Sequence, residues 1–316
     1  MNLSRALRAG LGLSAIVVEV VLIGPGRIGH DLTGLSVDVV VLAVAFIVVD
    51  TVATTLRWLY LVRHDVPLSR PAHVKIYLYS NFLNAFGLGS LTGDGYRVVN
   101  LRRAAGGASR VVALIVRERT FGLGGYALGY LVAACAAVAL GRGFRSDAFV
   151  WSTVAIVVFA TAGLAIVVAA PRFLAAYETK RQRLDAIARA AKHGLDLGSA
   201  VDISICSALS MLAWSSWIAA VLCLAGPLRL GAPWAALASI ATLTEFIRFV
   251  PITFQGIGVR EVSFAGLVRL AGGTEPHGFA LGVVAYLLLT LSFLASAPIA
   301  WLVGLWADRQ AQGSRR

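Results

Sequence analysis

Long apolar runs organise this chain. Six stretches reach or approach the ~20 mostly apolar residues that a helix needs to cross a bilayer: 7–24, 35–61, 111–140, 148–170, 200–225 and 279–306. Arg5 and Arg8 precede the first run, and it carries no small-residue cleavage site, so it reads as a retained anchor helix rather than a removable signal. Two further stretches, 73–97 and 233–261, are interrupted by glycine clusters and carry polar side chains. They are expected to enter the membrane without crossing it. Residues 172–195 follow another rule. There Phe173, Leu174, Tyr177, Leu184, Ile187 and Leu195 recur at helical spacing between Lys180, Arg181, Arg183, Arg189 and Lys192. That pattern predicts an amphipathic helix lying on an anionic cytoplasmic leaflet.

The order of these elements repeats. Each half reads helix, helix, broken segment, helix, first over 7–140 and again over 148–306. Three crossings per half is an odd number, so the second half must enter the membrane in the opposite sense. The predicted fold class is therefore an all-α polytopic membrane protein, with about six spanning helices and two Gly-broken re-entrant segments in two inverted repeats. The whole of 1–316 reads as one membrane domain. Paired, Gly-interrupted segments in corresponding positions point to a transporter-type site near the midplane. Irregular backbone at that depth is tolerated only against protein or a wet cavity.

Composition agrees. Charged residues make up 14% of the chain and apolar ones 58%, with a mean hydropathy of +0.80; an ordinary soluble domain carries about 25% charge. A net charge of +12 would suggest nucleic acid in a soluble protein. Here most Lys and Arg fall in loops on one side, leaving Arg27, Arg142, Arg145, Arg229, Arg248, Arg260 and Arg269 opposite. The positive-inside rule then puts both termini in the cytoplasm and reads the charge as orientation. The expected location is the cytoplasmic membrane of a bacterium or archaeon, and nucleic acid is not an expected partner. The histidines and the single cysteines Cys135, Cys206 and Cys223 lack metal-ligand spacing. No cofactor, metal or nucleotide motif is expected.

The chemistry concentrates in and around the broken segments. The first contains Asn81, Asn84, Gly87, Gly89, Gly93, Asp94 and Arg97; the second contains Pro251, Gln255, Gly256, Gly258, Arg260 and Glu261. Glycine and proline open the helix, while amides satisfy the freed backbone. A charged pair then follows each break, Asp94 with Arg97 and Arg260 with Glu261. Arg117, Glu118 and Arg119 stand at the entrance of the next helix, and Glu245 lies just before the second break. Ionisable groups at membrane depth cost a few kcal/mol each and usually face a cavity, a partner or a substrate. Arginine suits a phosphate because its fork meets two oxygens at once. Asp50, inside the second helix, and Glu245 are candidate coupling carboxylates. The structural alternative is that these charges form ion pairs pinning the helix breaks.

These residues resemble a family. The run from Leu56-Arg57-Trp58 through Asn81 and Asn84, Gly93-Asp94-x-x-Arg97 and Arg117-Glu118-Arg119 is similar to the lysylphosphatidylglycerol synthase transmembrane-region, or flippase-like, family. Pro251-Ile-x-x-x-Gly256-Ile-Gly258-Val-Arg260-Glu261 resembles its second signature, in the same order. Gly89-Ser90-Leu91-Thr92 departs from the family's Pro-Gly-rich turn. The resemblance implies a domain that moves aminoacylated or glycosylated lipids between leaflets. Some relatives carry a soluble aminoacyl-transferase domain behind it; none is expected here, so synthesis of lysyl-lipid is not implied.

The resulting expectation is a lipid translocase. Arg97, Arg117, Arg119 and Arg260 would engage an anionic headgroup, while Asp94, Glu118 and Glu261 would hold those arginines or accept a cationic one. Asn81, Asn84 and Gln255 complete the headgroup set. Its partners would be phospholipid or polyprenyl-linked lipid, with a second copy or a lipid-synthesis enzyme as the protein partner. Two rivals belong to other classes. One is a membrane transferase using Asp94, Glu118 or Glu261 as general base; the other is a scaffold for lipid synthesis.

Overall fold

The computed structural model describes residues 34–85, 91–139, 197–247 and 258–313, with isolated positions between 147 and 158. The anchor helix at 7–24, the run at 148–170 as a whole and the amphipathic segment at 172–195 lie outside the described residues. So do Gly87, Gly89, Pro251, Gln255 and Gly256. Among the described residues there are eight helices and no strand: α1 (Val37–Val62), α2 (Arg70–Asn84), α3 (Leu91–Leu101), α4 (Ala108–Ala139), α5 (Ala200–Ala225), α6 (Trp234–Ile247), α7 (Val259–Leu270) and α8 (Glu275–Gly313). Three of them are long and apolar enough to cross a membrane: Val37–Val62, Ala200–Ala225 and the Glu275–Ala307 part of α8.

Local chemistry explains where these helices begin. Asp38 sits in the first turn of α1, where a carboxylate complements the amino-terminal end of the helix dipole. Pro71 occupies the first turn of α2, where its missing N–H is not needed. Ser199 and Asp202 form a reciprocal capping box at the start of α5. Gly258 precedes α7 at φ 85°, a conformation that side-chain-bearing residues rarely adopt. The Glu261 carboxylate accepts the Gly258 N–H at 2.7 Å.

The long helices pack in antiparallel fashion. At the carboxyl end of α1, the Tyr60 hydroxyl and the Arg63 guanidinium donate to Asp202 at 3.0 and 2.7 Å. Asp202 opens α5, so α1 and α5 run in opposite directions against each other. Their seam belongs to the larger core, where Ala43 and Ile47 meet Trp217, Val221 and Leu224. A second cluster gathers Trp58, Val62, Tyr77, Leu101, Val111 and Leu114 from α1 to α4.

Small residues permit the closest approaches. A Cβ at Gly125 would overlap Ser210, and one at Gly129 would overlap the Trp214 ring, so α4 seats against α5 through these two glycines. On α8, a Cβ at Gly278 would meet Val268 at 2.8 Å and one at Gly282 would meet Phe264 at 3.1 Å. Both small-xxx-small pairs are therefore helix–helix contacts of the kind membrane interiors favour. Gly129→Ala is expected to destabilise the protein by ~1–3 kcal/mol through overpacking, read as a lower unfolding midpoint in detergent. Gly124→Ala, where a Cβ meets nothing within 4 Å, should leave that midpoint unchanged.

Candidate functional site

Beside the α1–α5 seam lies a polar cavity of about 110 Å³, room for several water molecules. Helix α1 supplies Asp50, Thr51, Thr54 and Arg57 to its wall, and α2 supplies Tyr77, Asn81 and Asn84. Arg97 comes from α3, and Glu118, Arg119 and Gly122 come from α4. Trp217 of α5 and Glu245 of α6 close it from the second half. Glu118 is the eleventh residue of the 32-residue α4, ~15 Å along the helix at 1.5 Å per residue.

Arg97 is the hub of the charged wall. Its side chain is 2% exposed and donates to Glu118 at 2.5 Å and to Asp94, its neighbour one turn back. Its guanidinium also lies 4.6 Å from the ring centre of Trp58 and 5.4 Å from that of Tyr77, while those two rings stack at 6.0 Å. A cation held by two carboxylates and two aromatic faces is immobilised on every side. Asp94 also accepts from Arg119 at 3.0 Å. Glu118 collects three partners: Arg97, the Tyr77 hydroxyl at 3.2 Å, and the Arg57 guanidinium at 3.9 Å. The network ties α1, α2, α3 and α4 together. Glu118 is buried, and no anion so deep persists without such partners.

Asn84 and Gly93 have a more local task. The Asn84 side-chain oxygen accepts the Gly93 N–H at 2.9 Å, which satisfies one of the donors that the start of α3 leaves open. A Cβ at Gly93 would overlap the Ser80 carbonyl, so α2 and α3 meet here without a side chain between them. Gly93 lies inside α3 rather than in a break, as does Asp94.

The cavity unites Asp50, Asn81, Asn84, Arg97, Glu118, Arg119 and Glu245 from the expected set, with Asp94 directly behind. It does not unite them all. Arg117 points the other way: its guanidinium fills the space where a Cβ at Gly198 would lie, beside the first turn of α5. Successive helical residues are 100° apart, so three charges in a row cannot share one face. Arg260 and Glu261 are buried but do not line the described cavity. The Arg260 guanidinium lies 4.5 Å from the Tyr286 ring centre, and Glu261 caps its own helix.

Arg57, Tyr77 and Trp217 are among the cavity residues that the expected set lacks, as are Thr51, Thr54 and Tyr126. Arg57 is buried within α1 rather than placed in a loop, and it donates to Ser210 at 2.9 Å. The signal was available: five residues of α1, all apolar or aromatic, follow Arg57 before the helix ends at Val62. Tyr77 and Trp217 carried no such signal.

The buried polar chamber is built from charged motifs carried between long apolar helices. The comparisons agree with that chemistry. No curated protein matches the chain. The family model for the lysylphosphatidylglycerol synthase TM region matches residues 7–304, nearly every helix described above, and the protein therefore belongs to that family.

Proposed function

We propose that the protein is a lipid translocase, in which the polar cavity receives a charged or glycosylated headgroup on its way between leaflets while the acyl chains remain in hydrocarbon. The observation that carries this reading is the cavity itself: one chamber lined by ionisable side chains from both halves of the chain. A structural ion-pair network alone has no need of adjacent space. Membrane lipid is the partner this chemistry accommodates. The charged wall orients a headgroup, and the arginines stay fixed by their carboxylates while Asn81, Asp50 and Glu245 offer further polar contacts around the same space.

The inverted-repeat architecture belongs to this proposal. Exchanging α1–α4 with α5–α8 maps the helix contacts onto themselves: α2–α8 exchanges with α6–α4, α3–α4 with α7–α8, and α1–α5 with itself. A two-fold axis that swaps the antiparallel α1 and α5 lies perpendicular to both, hence in the plane of the membrane. Helices α2 and α6, at 15 and 14 residues, extend only ~21–22 Å and fall short of a ~30 Å core. These features support six crossings, two segments that end at mid-depth, and termini sharing the cytoplasmic side. Such a site is open to each leaflet in turn when the halves rock against one another.

The test is reconstitution of purified protein into liposomes with fluorescent phospholipid in one leaflet. Protein-dependent leaflet exchange with no new lipid species is the expected result. A new lipid product would replace this reading with a transferase, and neither exchange nor product under an imposed ion gradient would leave a scaffold.

A further inference from the structure

A second concavity adjoins the polar one. It is an apolar groove of about 500 Å³ between α1 and α8, floored by Val74 and Leu78 of α2. It opens because α1 packs mainly on α5, whereas α8 packs mainly on α2 and α7. Thr51 lines both the groove and the polar cavity, so the two spaces meet at one residue.

The groove's few hydroxyls are already used. Thr51 donates to the Ile47 carbonyl at 3.0 Å and Thr55 to that of Thr51 at 2.7 Å. Ser292 donates to the Leu289 carbonyl at 2.7 Å and Ser296 to that of Ser292 at 3.0 Å. Every hydroxyl on the wall is turned back onto its own helix, so the groove presents hydrocarbon and no donor. A headgroup gains nothing there. The wall runs from Val44 to Leu59 on α1 and from Leu288 to Ile299 on α8, ~22 and ~16 Å at 1.5 Å per residue. One leaflet of a ~30 Å core is ~15 Å deep. The rim residues Val48 and Leu291 are 52% and 49% exposed, on helices long enough to face the bilayer.

We infer that this groove is an acyl-chain site, holding one tail of the same lipid whose headgroup occupies the polar cavity, with Thr51 at the junction. The inference deepens the translocase reading and rests on it for the identity of the lipid. It departs from a picture in which both tails stay in bulk bilayer. A tail seated in the groove fixes the headgroup's approach to the cavity along one path between α1 and α8.

The test uses the full-length protein in phosphatidylcholine vesicles containing phosphatidylglycerol with a photoactivatable diazirine near the end of one acyl chain. After irradiation, mass spectrometry maps the cross-links. They should concentrate on the groove, at Val48, Val52, Leu291 and Ala295, over equally exposed positions outside it such as Val41 and Leu302. Filling the groove with Val48→Trp or Leu291→Trp should lower that labelling severalfold, because the indole takes up the space in which the tail would lie. Val41→Trp should not. These positions are exposed, so the variants are expected to fold, and size-exclusion profiles check it. Even labelling of all lipid-facing positions, or unchanged labelling in both folded groove variants, would overturn the tail site. The two readings separate cleanly: groove labelling without leaflet exchange keeps the tail site and removes the translocase, whereas exchange with even labelling does the reverse.

Discussion

Replacing Arg97 with alanine is expected to destabilise the protein by ~3–5 kcal/mol, because removing one partner of a buried ion pair leaves the other charge uncompensated. Here Glu118 keeps the Tyr77 hydroxyl and the more distant Arg57, and Asp94 keeps Arg119. Neither replaces a guanidinium that reaches both carboxylates. The expected observation is loss of the monodisperse detergent-solubilised species, or a large fall in its unfolding midpoint. Arg97→Lys should recover only part of the stability, since an ammonium is a point charge without the two-pronged fork. A double-mutant cycle with Glu118→Ala gives the sharper reading. Residues sharing one ion-pair network couple by ~0.5–3 kcal/mol, so the double variant should be less destabilised than the sum of the singles. Simple additivity would mean that Arg97 and Glu118 act independently, and the hub described above would be wrong.

Neutralising the two carboxylates on the far side of the cavity should act on transport instead. Asp50→Asn and Glu245→Gln preserve shape and hydrogen-bonding capacity while removing charge. Glu245 is 3% exposed, yet it borders the cavity together with Asp50 of the other half. A hydrogen bond to a charged group contributes ~1.5–3 kcal/mol, and losing one in the translocating state slows exchange by about tenfold or more. Each variant is therefore expected to purify as a folded protein and to move labelled phospholipid at a tenth of the parental rate or less. Parental rates in both variants would show that these side chains only line the space.

The contrast between the two experiments separates two jobs that the charged motifs perform. Arg97, Asp94 and Glu118 answer mainly to each other, and their arrangement matches the ion-pair reading of the helix breaks. Asp50 of α1, Asn81 of α2 and Glu245 of α6 border the same chamber. A cavity needs both kinds of residue: one set to hold its helices together, another to line the space.

Much of this organisation was legible in the chain alone. Runs of about 20 apolar residues have one low-energy solution in a bilayer, a helix, and α1, α5 and α8 follow directly from that constraint. The matching positions of the broken segments, and the motifs around Gly93-Asp94-x-x-Arg97 and Arg117-Glu118-Arg119, also come from local sequence. So does the membership in a lipid-related membrane family. The pairing of Asp94 with Arg97 was accessible because both lie one turn apart on the same helix.

Which distant charges meet was decided elsewhere. Arg57 and Ser210 are 153 residues apart and touch only because α1 packs antiparallel on α5. Arg117, Glu118 and Arg119 are indistinguishable in a hydropathy plot; the rotation of α4 sends the first toward Gly198 and the other two into the cavity. That rotation is set by Gly125 and Gly129, which seat α4 on Ser210 and Trp214. Glu245 joins the first half's charges only through the contact of α6 with α4. Spacing along a helix determines which residues share a face. The direction that face points is a property of how all the helices pack, and it is there that Arg97, Glu118, Arg119 and Glu245 come to share one chamber.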